Sequence, residues 1–227
     1  MDLIEQLKQY VDSYLYDDSA YSYAVGAAKK IVQHKDVYCV LDTETSGLTD
    51  DDEIIQIAIT DLDGNCLLNQ LINPTCGIYA EAEAVHGISL YLLEDAPTFK
   101  EVYPDILEAI KGKQICIYNK RFDTSKLNYC IGLYDLDSYG FYECSICIME
   151  MYAAYVNEWD DRWGNWKWQP LNGDHSALGD CRATAELIKK MADSRYREPP
   201  EAYYLLKQKG EKSNLLNIVE SSFPQLT

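Results

Sequence analysis

Between residues 37 and 73 the chain carries three strand signatures in close succession, and the first ends on two carboxylates. The run VYCVLDTE, residues 37–44, is apolar up to Asp42. EIIQIAIT, residues 53–60, comes next, with Ile55, Ile57 and Ile59 at the spacing that puts side chains on one face of a strand. Asp63-Gly64 then marks a tight turn into CLLNQLIN, residues 66–73, so the second and third strands read as a hairpin. Because alternate residues of a strand share a face, Asp42 and Glu44 should project side by side. Two anions this close repel, and burial strengthens the repulsion. The pair is tolerable if it shares a proton, if it lies open to water where the strand runs into the acidic turn TDDDE, or if it holds a cation.

Downstream of residue 73 the chain alternates between helix and strand. Residues 97–110 have Phe99, Val102, Tyr103, Ile106, Leu107 and Ile110 at helical spacing, ICIY (115–118) reads as a fourth strand, and residues 123–133 as a helix. A fifth strand is expected near residues 139–144, leading into a helix that runs to about Tyr155. The segment NEWDDRWGNWKWQPLNG holds all four tryptophans and reads as a loop, and a last long helix spans residues 176–191. Upstream, residues 1–35 read as helical, the second piece running from Tyr21 to His34. Beyond Pro199-Pro200 one more helix is expected over 202–209. The expected organisation is an N-terminal helical arm (1–36), a central domain (37–192) and a C-terminal helical tail (193–227). The fold class is α/β: a mixed five-stranded sheet flanked by helices. The arm would pack on the central domain or on a second copy of the chain, so a homodimer through the arm or the tail is one expected state.

Composition narrows the function classes. No apolar run approaches the ~20 residues of a membrane span. MDLIEQLKQY carries Asp2 and Glu5 and shows no secretory signal, so a cytoplasmic protein without membrane contact is expected. The eight cysteines are scattered and read as reduced core residues. Only Cys144 and Cys147 have a C-x-x-C spacing, without the second pair that a structural zinc site needs. The formal net charge of −17 argues against a general electrostatic grip on nucleic acid, although not against an enzyme whose site carries its own metal cations.

Three further residues stand out by position. Asp123 lies where the fourth strand passes into a helix, and would be either a site carboxylate or that helix's N-cap. His175 and Asp180 lie in DHSALGDCRAT. On one continuous helix they would diverge, but they would converge if His175 came from the turn and Asp180 from the helix. Alone, each is as compatible with a structural histidine and a first-turn carboxylate. Taken together, Asp42, Glu44, Asp123 and Asp180 form an all-oxygen donor set suited to Mg²⁺ or Mn²⁺. Two such ions ~3.5–4 Å apart would clamp an in-line phosphoryl displacement, with His175 taking the proton of the attacking water.

These residues occur as DTETSGL, YNKRFD and HSALGDCRAT, and VHGIS (85–89) with PTF (97–99) after it falls between the first two. In order and spacing the chain resembles the DEDDh class of DnaQ-like 3′→5′ exonucleases, within the ribonuclease H-like superfamily, over about residues 37–192. Tyr118 stands where the family often has histidine, and Cys181 where alanine is common.

The resemblance implies a ribonuclease H-like fold and hydrolysis of single-stranded DNA or RNA from the 3′ end to nucleoside monophosphates. It implies that Asp42, Glu44 and Asp180 hold two divalent ions, with Asp123 contacting them directly or through water, and that His175 is the general base. Thr45, Ser46, Gly47 and Leu48 would seat the terminal nucleotide, Leu48 as a wedge, with Phe122 lining the pocket. His86 would contact that nucleotide or only stabilise its loop. Lys120, Arg121, Lys126, Arg162, Lys167 and Arg182 would supply local basic contacts, and the tryptophans would stack on bases or fold onto one another. The competing reading is a non-catalytic accessory module, such as a polymerase-interaction subunit, on the same scaffold.

Overall fold

The computed structural model describes residues 20–193; the expected helix at 202–209 and the first part of the arm lie outside them. Five strands form one mixed sheet: β1 (Tyr38–Thr45), β2 (Ile54–Thr60), β3 (Cys66–Leu71), β4 (Gln114–Ile117) and β5 (Ser145–Cys147), in the order β3-β2-β1-β4-β5. β1 runs antiparallel to β2 and parallel to β4. The β2–β3 turn closes on Asp61, whose carboxylate accepts the amides of Asp63 and Asn65 at 2.9 Å, and Gly64 takes the left-handed φ of 84° that such a turn requires.

The helices are α1 (described over residues 20–33), α2 (Ala80–His86), α3 (Leu90–Leu93), α4 (Phe99–Ala109), α5 (Lys120–Leu133), α6 (Ile148–Val156) and α7 (Ala177–Asp193). Glu101 fixes the start of α4 by accepting the Thr98 amide and hydroxyl, both at 2.8 Å. None of the described helices is long and apolar enough to cross a membrane.

β1 alternates strictly. Cys39 and Leu41 face the core built with Phe99, Val102 and Ile106 of α4 and Leu127 and Cys130 of α5. Tyr38 and Val40 face the opposite core, built with Ala24, Ala28 and Ile31 of α1, Met151 of α6, and Cys181, Ala185 and Ile188 of α7. α1, over its described residues, packs Ala24, Ala28 and Ile31 on its own sheet. β2 alternates less cleanly than the sequence suggests. Ile57 and Ile59 join the α4–α5 core, whereas Ile55 packs with Ile88 and Leu93 beneath α2 and α3.

Two expectations need correction. The fifth strand is Ser145–Cys147, not 139–144: Gly140 turns the chain at φ 73°, Phe141 plugs the core, and the Ser145 hydroxyl bonds the Phe141 carbonyl at 2.6 Å. The aromatic segment is not wholly loop, since β6 (Trp159–Asp160) and β7 (Asn165–Trp166) form a small antiparallel hairpin.

Candidate active site

The face that β1 gives to α7 ends in the carboxylates. Asp42 and Glu44 continue the Val40 side of the strand, opposite Ala58 and Gln56 of β2. The Gln56 side chain reaches over and accepts the Ala177 amide at 3.2 Å, which pins the first turn of α7 above β1. Cys181 lies on the strand backbones, its thiol 3.3 Å from the Ala58 carbonyl and 3.7 Å from that of Val40. The neighbouring Asp180 is thereby delivered to the strand end. One carboxylate oxygen each from Asp42, Glu44 and Asp180 lies within 4.8 Å of the others.

Asp123 approaches from the other face. α5 begins at Lys120 after Asn119, so Asp123 is inside the first turn and is not the N-cap. It is buried, and its Oδ1 accepts the Thr43 amide (3.1 Å) and hydroxyl (2.8 Å). Thr43 is a residue that sequence reasoning missed: it points to the α5 side because it lies between two residues that point to the α7 side.

The electrostatics show what the cluster lacks. Burial, then Asp123, Asp180 and Glu44 in turn, raises the Asp42 carboxyl well above its ordinary range. Burial with Asp180, Asp123 and Asp174 pushes Glu44 up to about 8. Burial pushes Asp123 up to about 7 against the pull of Thr43. Asp180 is raised by burial, with the His175 amide and the charge of His175 pulling the other way. Among the described residues, the charges acting on Asp42 are other carboxylates. Such a donor set, all oxygen and uncompensated, fits hard divalent cations.

These shifts make stability depend on pH. A carboxyl raised from 4.5 to about 8 keeps, in the folded state, a proton that the unfolded chain has released. Its contribution to stability is therefore lost as pH rises from about 4.5 to 8. In chelator, the melting temperature of the wild type should fall relative to Glu44→Gln across that window, by at least about 5 °C. Added Mg²⁺ should reverse the trend, because a metal binds the deprotonated groups. Parallel melting curves for the two proteins would contradict the electrostatics.

His175 comes from the turn before α7, and Asp180 from its first turn. His175 holds a left-handed φ of 59°, sparsely populated for a residue with a Cβ. Its amide donates to Asp180 Oδ1 at 3.3 Å, while its side chain is exposed at the mouth of the cluster. Asp174, also missed from the sequence, accepts the amide (3.1 Å) and hydroxyl (2.8 Å) of Ser176, whose own hydroxyl caps α7 by accepting the Gly179 amide at 3.1 Å, and Asp174 adds to the negative field on Glu44. Its signal was an aspartate two residues before a serine at a helix start.

Gly173 lies flat against Asp180: a Cβ there would overlap Oδ1 and stand 2.6 Å from Cγ. Gly173→Ala should displace that carboxylate and weaken divalent-metal affinity by about 10–100-fold. Calorimetric titration with Mn²⁺ checks this, and unchanged affinity would sink it.

Beside the cluster opens a cleft of about 440 Å³, lined by Thr45, Gly47, Leu48, His86 and Phe122 and also by Tyr79, Glu81 and Val85. Leu48 is 84% exposed at its rim. Ser46 does not line it. Its hydroxyl is buried, donating to Asp52 (3.1 Å) and accepting the Glu53 amide (3.0 Å), so it shapes the loop instead. Asp52 is the inward member of the acidic turn and accepts the Thr49 amide at 2.6 Å.

Lys126, expected as a basic surface contact, is buried and donates to the Thr49 carbonyl, locking the same loop. Arg162 and Lys167 are paired with Asp160 and Glu158, Arg182 bonds the Gly64 carbonyl, and Lys120 sits 3.9 Å over the Tyr142 ring. The His86 Nδ1 accepts the Ile88 amide at 3.0 Å, so Nε2 carries the proton. Nε2 is buried beside the Thr45 backbone; burial lowers the pKa of this histidine, with the Thr45 backbone and Glu83 pulling the other way. Through Nδ1 the ring stabilises its own loop.

The RNase_T exonuclease model matches residues 39–188. An exonuclease designated CP81, of Escherichia phage 186, is 35% identical over 181 residues, spanning 73% of this chain and 92% of its own. The DNA polymerase III epsilon subunits of Rickettsia conorii and Escherichia coli K12 are 34% and 32% identical over 100 and 108 residues. Those matches span 41% and 43% of this chain and only 44% of each subunit, so under half of these relatives' length is covered.

Among solved structures, the nuclease domain of 3′hExo, a DEDDh family member bound to rAMP, superposes with a TM-score of 0.56 at 16% identity, covering 73% of this chain and 96% of that one. The complex of E. coli ExoI with single-stranded DNA superposes with a TM-score of 0.52 at 17% identity, covering 69% and 42%. These two are likenesses of fold. The chain belongs to the RNase_T exonuclease family: it is a DnaQ-like exonuclease on a ribonuclease H-like fold.

Proposed function

We propose that this exonuclease degrades single-stranded DNA or RNA from the 3′ end to nucleoside monophosphates, with two divalent cations, Mg²⁺ or Mn²⁺, in its site. The observation that carries this reading is the convergence of Asp42, Glu44 and Asp180 within 4.8 Å, with Asp123 set behind them and, among the described residues, no compensating side-chain cation acting on Asp42. These three would hold the metals, and Asp123 would touch them directly or through water. Bound there, a divalent ion would polarise the scissile phosphoryl group and lower the pKa of bound water.

The chain's own groups supply the rest. His175, exposed at the mouth, takes the proton of the attacking water. The Nε2–H of His86 donates to the terminal nucleotide in the cleft, Leu48 wedges against its base, and Thr45, Gly47 and Phe122 wall it. Residues 37–192 are the catalytic domain in this reading, with 1–36 and 193–227 as additions to it. A cytoplasmic setting agrees with eight cysteines that are all free thiols. No dimer is proposed through the described part of α1, which packs on its own sheet. An accessory module without turnover has no need of an acidic cluster that costs metal-free stability, so it is not favoured.

The polarity is tested with one oligonucleotide labelled at either end. A 3′ label should leave as a mononucleotide in the first turnovers, while a 5′ label shortens stepwise. Early release of the 5′ label as a mononucleotide would reject the reading.

A further inference from the structure

The four tryptophans divide into two pairs with different environments. Trp159 and Trp166 face each other across the β6–β7 register, ring centroids 5.0 Å apart and edge to face at 82°. That pair is the hairpin's own aromatic core. Trp163 and Trp168 are not part of it. Trp163 sits at the tip, where its amide and that of Gly164 bond the Asp160 carbonyl at 3.2 and 3.0 Å and Gly164 turns with a φ of 64°. It is 76% exposed and Trp168 is 63% exposed. The two rings line one cavity of about 480 Å³ with Asp160, Asn165 and Lys167.

The hairpin is also tied to the segment between β4 and α5. The Tyr118 hydroxyl, in the position where the family often has histidine, donates to the Gln169 carbonyl at the hairpin's exit. Tyr118 lies just past β4, five residues before Asp123. On the other side, the seven residues that follow Trp168, up to His175, span at most about 25 Å.

We propose that Trp163 and Trp168 are a stacking platform for unpaired bases of the substrate strand, on the 5′ side of the scissile linkage. This rests on the reading given under Proposed function. The chemistry of the cavity favours a base over a phosphate. Its charged groups are already matched inside the hairpin, Asp160 to Arg162 at 2.7 Å and Lys167 to Glu158 at 2.8 Å. What it offers a ligand is two exposed indoles and the Asn165 side chain, within a chain of net charge −17. Stacking on an aromatic ring is sequence-tolerant, as an enzyme that steps along a strand requires, and contributes ~1–3 kcal/mol per base.

The test uses the full chain carrying Asp42→Asn, in Mg²⁺, binding a 12-nucleotide and a 3-nucleotide single strand. Adding Trp163→Ala and Trp168→Ala should weaken the 12-mer by at least about 5–150-fold, the loss of one stacked base, and leave the 3-mer unchanged. A 12-mer whose nine 5′ nucleotides lack bases keeps its charge. It should bind the Trp-containing protein no better than the intact 12-mer binds the double-alanine protein. Both rings are exposed, so the alanine variants should melt like the parent. Equal affinity of the two proteins for the intact 12-mer, or full affinity for the abasic one, would overturn the platform. Hydrolysis of the p-nitrophenyl ester of thymidine 5′-monophosphate by the Asp42-containing protein reads the exonuclease assignment separately. If that ester is inert while the tryptophans still govern 12-mer binding, the catalytic reading fails and the tryptophans stand only as a stacking surface for single strands.

Discussion

Asp42→Asn is expected to reduce metal-dependent hydrolysis by about 10³-fold or more and, in chelator at pH 8, to raise the melting temperature. The first effect comes from removing an anionic donor: the stabilisation that a bound cation gives to phosphoryl charge is worth several kcal/mol, and each 1.36 kcal/mol is about tenfold in rate. The second comes from the neighbours. Burial with the charges of Asp123, Asp180 and Glu44 raises the Asp42 carboxyl, so the metal-free fold is less stable for holding it at alkaline pH. The isosteric amide relieves that load. A structural carboxylate would behave in the opposite way, its loss lowering the melting temperature. Melting in chelator and turnover in Mg²⁺, measured on one preparation, separate the two cases. A variant that is less stable and still active would remove Asp42 from the site.

His175→Ala should lower kcat by about 10²–10⁴-fold, the range of general-base catalysis, while Mn²⁺ affinity stays close to that of the wild type. The reasons are geometric. The contact that His175 makes with Asp180 runs through its backbone amide, which alanine keeps. The side chain is exposed and is not one of the three groups that converge. Added imidazole should restore part of the lost rate. Loss of metal affinity in step with rate would move His175 from proton transfer into the ligand set.

How much of this was legible in the sequence depends on whether the signal was local. β1, the β2–β3 hairpin, α4 and α7 announce themselves by two- and 3.6-residue periods and by Asp63-Gly64. Asp42 and Glu44 emerge from the same alternation, which also places them on the α7 side. β5 was misplaced because it is only three residues long, whereas the more conspicuous aromatic run before it packs as a turn, with the Tyr139 and Phe141 rings 5.0 Å apart. α2 and α3 were not foreseen. α2 buries no side chain, so no apolar period marks it.

The site's supports were the least legible. Thr43 beneath Asp123, Asp174 beside Glu44 and Lys126 under the Thr49 loop act through contacts spanning the fold or through one turn's geometry. Lys126 looked like any surface lysine, because nothing in KRFDTSK shows that the loop 46–52 will close over it. Ser46, likewise, reads as part of the DTETSGL motif, yet its hydroxyl is turned inward by Asp52, six residues on.

The most direct test of the central claim is digestion of 5′-labelled single-stranded DNA and RNA of one sequence, side by side, in Mg²⁺, in Mn²⁺ and in chelator. The account predicts a ladder that shortens from the 3′ end in either metal and is absent in chelator, with the faster ladder naming the preferred sugar. Hydrolysis that persists undiminished in chelator, or strands that stay intact in both metals, would contradict the assignment of the Asp42–Glu44–Asp180 cluster as a metal-dependent nuclease centre.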